Sequence, residues 1–297
     1  MKQYLDILAN IEANGQIKKN RTGIDTKSIT GAFFEHDMGD GFPLLTTKKM
    51  GLKTIATELE FFIKGMSDKQ WLKDRGCHIW DDWCNPEKVP YGNDDVTKQK
   101  MKDENDLGRI YGVQWRDWKT TVGIDVIDPD ISLYKQDLVV TKHIDQLKNV
   151  IEKLKTNPFD RRMIVMAWNP AEIDQMALPP CHYSFQLLSD GEHVDLIWNQ
   201  RSCDIFLGSG FNIASYGLLL EIIAKTVGMK ARKLVGQWAD VHIYQNHMEQ
   251  VKEQLTRTPK KLPEIEITCN DIFSWTREDF ILKNYESHPR IKAEVAV

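Results

Sequence analysis

Residues 178–216, LPPCHYSFQLLSDGEHVDLIWNQRSCDIFLGSGFNIASY, constrain this chain more than any other stretch. Pro179 and Pro180 fix an extended backbone and remove two amide donors, so Cys181 opens a strand in a constrained place. Two strand-like runs follow, and arginine, serine, aspartate and asparagine then crowd into a short polar segment. The chemistry of the chain is concentrated here.

Adjacent strand residues point to opposite faces, so His182 is not placed to reach the sulfur of Cys181 and no Cys-His dyad is expected. Positive charge is the other local means of lowering a thiol pKa, and Arg201 supplies it. The competing reading is a buried structural thiol, the ordinary fate of a single cysteine. Arg201 and Ser202 can hold a phosphate, Asp204 can accept from a polar heterocycle, and Asn212 offers a donor and an acceptor together. That pairing suits a uracil-like edge, whereas a cytosine-like edge would prefer a carboxylate. Residue types and spacing point to a cysteine enzyme acting on an anionic polar ligand.

The 297 residues suffice for one large domain or two ordinary ones with a substantial core. With 41% hydrophobic and 28% charged residues, the composition is that of a soluble globular protein. A formal charge of −4 argues against whole-surface affinity for nucleic acid and leaves room for a local basic pocket. The cysteines Cys77, Cys84, Cys181, Cys203 and Cys269 are odd in number and scattered, which is no secreted disulfide framework, so a reduced cytosol is expected. The N-terminal residues lack the pattern of a signal peptide, and nothing approaches the roughly 18 consecutive apolar residues that span a bilayer. In CHIWDDWC, residues 77–84, the spacing completes no zinc ligand set.

Apolar side chains at Tyr4, Leu5, Ile7, Leu8 and Ile11 predict a helix over 2–14. A second is predicted over 53–64, with Ile55, Leu59, Phe62 and Ile63 on one stripe. Glu58 lies at the edge of that stripe: it faces solvent, or it is partly desolvated with a pKa raised toward the working pH. Strands are predicted over 28–34, 163–168 and 233–244, and further helices over 144–154, 216–227 and 247–257. Alternation puts Asp240, His242 and Tyr244 on one side of their strand. Trp80 and Trp83, three apart, can share a face, either as core or as a flat wall for a planar ligand. Arg21 beside Thr22-Gly23, and Arg161 with Arg162 at a strand's mouth, are anion contacts or solvated rim charges. Residues 84–105 and 119–142 are polar excursions. Mixed strands and helices without a βα or internal repeat make the class α+β.

RTG at Arg21, FPLLTTKK from Phe42, Glu58 in its helix, IWD at Trp80 and YGVQWR from Tyr111 come in order along the chain. DRR at Arg161 and Arg162, AWNP at Trp168, LPPCH, QRSCD, FNIASY, DVHIYQNH and a terminal AV continue the series. Over nearly its whole length the sequence closely resembles the thymidylate synthase family. The resemblance implies a single catalytic domain over residues 1–297, with a large mixed β-sheet, packed helices and a homodimer through the sheet. It implies that Cys181 adds to C6 of dUMP and that C5 captures the methylene of 5,10-methylenetetrahydrofolate. Hydride from the folate would complete the methyl group, giving dTMP and dihydrofolate. The implied catalytic set is Cys181, Glu58, Arg201, Asp204 and Asn212, with Glu58 managing proton transfers through water. Arg21 and Arg201, with Arg161 and Arg162 from a partner subunit, would clamp the phosphate beside Ser202 and Cys203. Asn212 would read the uracil, and His242 and Tyr244 the sugar hydroxyl. Trp80, Trp83, Asp204, Leu207, Gly208, Phe211 and the Ala296-Val297 end would hold folate and close the site. A cytoplasmic enzyme without metal, membrane or required nucleic acid is expected.

Several positions depart from the commoner family pattern. Gly51 stands where a histidine or aromatic is frequent, Arg109 replaces a usual proline, and Ser209-Gly210 replaces an apolar residue and proline before Phe211. Glu60 and Phe61 replace an apolar-tryptophan pair. These changes are expected around the folate side, where they bear on exclusion of water. The nearest alternative is a similar deoxyuridylate hydroxymethylase, in which water replaces hydride and yields 5-hydroxymethyl-dUMP and tetrahydrofolate. Trp80 and the Ala-Val end favour the synthase, because both shield the exocyclic methylene in the family. A non-catalytic nucleotide- or RNA-binding protein is a third reading, and it would not need Cys181, Glu58 and Asn212 together.

Overall fold

Amphipathic spacing accounts for several helices, and side-chain caps start two of them, in the computed structural model, which describes residues 1–20, 22–125 and 137–294. Helix α1 (Lys2–Asn14) buries Tyr4, Leu8 and Ile11; strands β1 (Gln16–Lys18) and β2 (Thr26–Asp37) follow. Helix α2 (Leu52–Ile63) buries Ile55, Leu59, Phe62 and Ile63, the predicted stripe, together with Glu60 and Phe61. The short helices α3 (Gln70–Lys73), α4 (Asp95–Asp103) and α5 (Tyr111–Arg116) lead to the paired strands β3 (Trp118–Asp125) and β4 (Asp137–Ile144). The Asp94 carboxylate accepts from the Thr97 amide at 2.9 Å and starts α4. Asp145 does the same for Lys148 at 2.9 Å and starts α6 (Gln146–Thr156).

Strands β5 (Ile164–Met166), β6 (His182–Ser189) and β7 (His193–Asp204) then follow, each antiparallel to the next. Helix α7 (Ser209–Val227) ends on Gly228 in the left-handed conformation (φ 72°) and hands the chain to β8 (Lys230–Tyr244). Helix α8 (Met248–Leu255) and the small pair β9 (Glu264–Ile267) and β10 (Phe280–Lys283) complete the order. The main sheet has the order β1-β2-β8-β7-β6-β5, antiparallel except for the parallel pair β7 and β8. The fold is therefore α+β around a large mixed sheet.

The core lies between the sheet and its helices. Trp198 of β7 stacks on Tyr216 of α7 (5.1 Å, 10°), and Phe34 of β2 stacks on Trp238 of β8 (5.6 Å, 9°). Leu218, Leu219, Leu220, Ile222 and Ile223 of α7 are fully buried, each contributing about 2 kcal/mol of transfer free energy. Among the described residues, no helix is long and apolar enough to cross a membrane.

Some boundaries differ from those expected. Helix α7 begins at Ser209 rather than near 216, because Ile213, Ala214, Tyr216 and Gly217 bury one face of what looked like a polar segment. The strand expected over 163–168 contracts to Ile164–Met166, and Ile144 ends β4 instead of opening a helix. The first excursion contains α4 and is rooted by buried Cys84, Asn85 and Met101. The second is the β3–β4 ribbon, of which residues 126–136 lie outside the described residues.

Candidate active site

Strand polarity gathers the chemistry at one edge of the sheet. Because β6 is antiparallel to β7, its start lies beside the end of β7, where His182 pairs with Gln200. Because β8 is parallel to β7, its end arrives there too, with Asp204 opposite His242. The start of β2 closes the row, with Thr26 opposite Tyr244. A cavity of about 460 Å³ opens at this edge, and Glu58, Trp80, Tyr111, Cys181, Arg201 and Asn212 are among its lining residues. Its size and its place at the carboxyl ends of parallel strands suit a small-molecule site.

Cys181 sits just before β6, and its amide donates to the Tyr111 hydroxyl at 2.8 Å. Arg201 reaches back from β7 and donates through Nε to the Pro180 carbonyl (2.9 Å) and through Nη2 to that of Pro179 (2.7 Å). The two prolines thus supply carbonyl acceptors that hold the guanidinium in place. Nη2 also lies 3.9 Å from the Cys181 sulfur, where positive charge favours thiolate. His182 does not pair with Cys181. Its Nδ1 lies 2.9 Å from the Tyr216 hydroxyl, its ring stacks on Tyr111 at 4.3 Å, and burial pushes its pKa down to about 3, so it stays neutral.

Glu58 lines the cavity from α2 and accepts from the Trp80 indole N–H at 2.8 Å. Burial raises its carboxyl to about 7, against the smaller opposing pull of the indole bond. The desolvated reading of this boundary residue therefore holds over the solvent-facing one. Trp80 and Trp83 both line the cavity, but not as one flat wall, because their segment is a turn rather than a helix. Trp80 stands edge-on to Tyr111 (6.1 Å, 70°), while Trp83 stacks on Tyr91 (6.2 Å, 19°).

The polar side of the cavity is wired through Gln200. The Trp198 indole donates to Gln200 Oε1 (3.2 Å), and Gln200 Nε2 donates to Asn212 Oδ1 (3.2 Å) and to the Ser202 carbonyl (2.9 Å). Asp204 Oδ1 accepts from the amides of Phe206 (3.1 Å) and Leu207 (3.0 Å), turning the chain toward α7. Asp240, His242 and Tyr244 all line the cavity, as alternation predicts. His242 Nδ1 lies 3.3 Å from the Asp240 carboxylate, which itself lies 3.5 Å from Lys18. Tyr111 and Gln200 were missed in the sequence. Gln200 shares a strand face with Ser202 and Asp204, and that alternation was the available signal.

Other expected site residues lie elsewhere. Cys203 is fully buried and lines no part of the cavity; Leu207 and Phe211 flank it without lining it, whereas Gly208 lines it. Arg161 and Arg162 are exposed and away from this cavity, with Arg162 gripped by Asp160 at 2.9 Å through both Nε and Nη2. That contact pulls the Asp160 carboxyl down to about 2. Arg21, Ala296 and Val297 lie outside the described residues, although Asn20 and Thr22 on either side of Arg21 line the cavity.

None of the departures from the commoner pattern, Gly51, Glu60, Phe61, Arg109, Ser209 or Gly210, lines the cavity. Arg109 instead bridges Asp117 and Glu172, each at 3.0 Å. Ser209 donates to the Ile205 carbonyl at 2.6 Å, and a Cβ on Gly210 would lie 2.6 Å from Leu45 Cδ1. Close approach of α7 to the 45–50 segment explains the glycine. Among the described residues, no group of three or more His, Cys, Asp or Glu could hold a metal ion. Compared with known protein families, the sequence matches the family described as thymidylate synthase over residues 2–297.

Proposed function

The chain belongs to the thymidylate synthase family, and from that premise we propose that it converts dUMP to dTMP with 5,10-methylenetetrahydrofolate, working as one catalytic domain over residues 1–297. Membership makes it a methyltransferase-like enzyme of dUMP or a related pyrimidine nucleotide, with a folate co-substrate. The observation that carries the finer reading is the meeting, in one cavity, of Cys181 beside Arg201 and of a partly buried Glu58 whose desolvation raises it to about 7.

Cys181 Sγ adds to C6 of the uracil and shifts electron density to C5, and Arg201 favours the thiolate this needs. Asn212, with its carbonyl engaged by Gln200, presents amide chemistry to the base edge. Glu58, with a pKa near neutral, exchanges protons through cavity water at both stages where C5 must be reached. Arg201 and Ser202 take the phosphate, joined by Arg21; Asp204, His242 and Tyr244 serve the polar rim. Reduced folate supplies the one-carbon unit and the hydride. Ile79, Trp80 and Trp83 give its planar ring an apolar side to lie against.

A homodimer through the open sheet face accompanies this reading. Strand register puts Ile164, Gln186, Ile197 and Val235 in one row, and Met166, Ser184, Asn199, Gln237 and Phe33 in the next. Phe33 (51%) and Ile164 (46%) are half-exposed there, and Arg161 and Arg162 precede β5 at the edge of the sheet, from which, in such a dimer, they would reach a partner's cavity.

Incubation with dUMP and 5,10-methylenetetrahydrofolate tests the reaction. Dihydrofolate and dTMP are expected in equal amounts, and Cys181→Ala should lower turnover more than about 10⁴-fold. Tetrahydrofolate with 5-hydroxymethyl-dUMP would assign the hydroxymethylase reaction instead. Binding of dUMP without turnover would point to the non-catalytic reading, and intact turnover in the alanine variant would sink the nucleophile.

A further inference from the structure

Lys69 is fully buried, at 0% exposure, and each of its three ammonium donors has a backbone acceptor. Nζ donates to the carbonyls of Asp81 (2.8 Å), Trp83 (2.7 Å) and Met101 (2.8 Å). Two of these carbonyls belong to the turn that carries Trp80 and Trp83; the third belongs to α4, in the excursion over 84–105. The backbone closes the same joint: the Lys69 amide donates to the Asn105 carbonyl at 2.8 Å, and Asp68 forms a bridge with Asp106. Tyr91, also from the excursion, stacks on Trp83 and does not itself line the cavity.

Burying an ammonium costs several kcal/mol unless its donors are met, and an apolar side chain would fill the same space more cheaply. A cation held by three carbonyls from two segments therefore fixes where those segments sit. What they present to the cavity is Ile79, Trp80 and Trp83, with Trp80 bonded onward to Glu58.

We propose that Lys69 is a positioning residue for the aromatic side of the cavity: it ties the Trp80–Trp83 turn and the 84–105 excursion into one unit that sets where a planar ligand lies. The excursion is then part of the site's architecture, with Tyr91 as backing for Trp83. Identifying that planar ligand as folate rests on the reading given above. Lys73 provides an internal control, because it bonds the Lys102 carbonyl (3.0 Å) and Asn105 (3.1 Å) in the excursion but nothing in the tryptophan turn.

Hydrogen exchange on the protein without ligand reads the tie directly, and steady-state kinetics reads its use. Lys69→Met should speed exchange in 78–84 and in 98–106 together, about tenfold, while 52–63 keeps its rates. The same variant should raise the KM for 5,10-methylenetetrahydrofolate about tenfold while the KM for dUMP moves less than about twofold. Lys73→Ala should loosen 98–106 alone and leave the folate KM unchanged. Tyr91→Ala, at a half-exposed position that tolerates truncation, should raise the folate KM about threefold, and it carries the test if Lys69→Met does not fold. Wild-type exchange in 78–84 of Lys69→Met overturns the proposal, as does a folate KM unmoved in both Lys69→Met and Tyr91→Ala. Absence of turnover in the parent protein overturns the functional reading instead, and the exchange arm still decides the role of Lys69.

Discussion

Glu58 is where burial alone creates a reactive group. Its folded pKa of about 7 stands above the ordinary 4.5, so between those values the unfolded chain gives up a proton that the folded chain keeps. Stability therefore falls as pH rises from about 4.5 to about 7 and levels off above, by at most about 3 kcal/mol, and less to the extent that the carboxyl opens on the cavity. Glu58→Gln should flatten that fall by its own share, read from denaturation midpoints at about pH 5 and about pH 8, and should cut turnover about 10²- to 10⁴-fold. Glu221 on α7, likewise raised to about 7 by burial, keeps its own slope in both proteins, so the difference between them isolates Glu58. Equal slopes would count against the assignment. Cys181, Arg201, Asp204 and Asn212 were legible in the sequence because their chemistry is crowded into one stretch. Tyr111 was not, since it meets the Cys181 amide across 70 positions of chain. The Trp80–Trp83 spacing misled because helical geometry was assumed for what is a turn.

At the scale of elements, α2 and α5 touch through a glycine. A Cβ on Gly112 would stand 2.2 Å from the Phe62 carbonyl oxygen and 2.4 Å from its Cα, and backbone cannot give way as a side-chain tip can. Gly112→Ala should therefore cost about 3 kcal/mol or more, seen as a lowered melting temperature. Because α2 carries Glu58 and α5 begins with Tyr111, turnover should drop as well. A variant that melts with the parent would show that this contact yields. The helices with clean apolar stripes, α1 and α2, were readable almost to the residue. The start of α7 was hidden because Asn212 and Ser215 occupy its partly exposed face while Ile213, Ala214 and Tyr216 are buried. The first excursion has few apolar positions, so its capped helix read as polar chain; in the second, the alternation of Val122 with Ile124 and of Leu138 with Val140 was the available signal for a two-stranded ribbon.

For the molecule as a whole, the α+β class was legible from mixed periodicity, whereas the strand order was not, because β8 enters between β2 and β7 through long-range pairing. The open face of that sheet carries the dimer prediction. The parent should sediment at twice the chain mass, and Ile164→Asp should yield a monomer with turnover reduced at least about tenfold, as Arg161 and Arg162 leave the partner's phosphate site. A fully active monomeric parent would refute it. The same insertion of β8 has a consequence for synthesis. Thr26 pairs with Tyr244, and Asp204 with His242, so the cavity's rim joins the beginning of the chain to its last third. A nascent chain that stops short of Lys230 already holds Cys181, Arg201 and Glu58, yet β2 and β7 have no strand between them and the cavity has no rim. Chemical competence therefore arrives late in translation and all at once, and until then the reactive stretch leaves the ribosome without the enclosure that gives it a use.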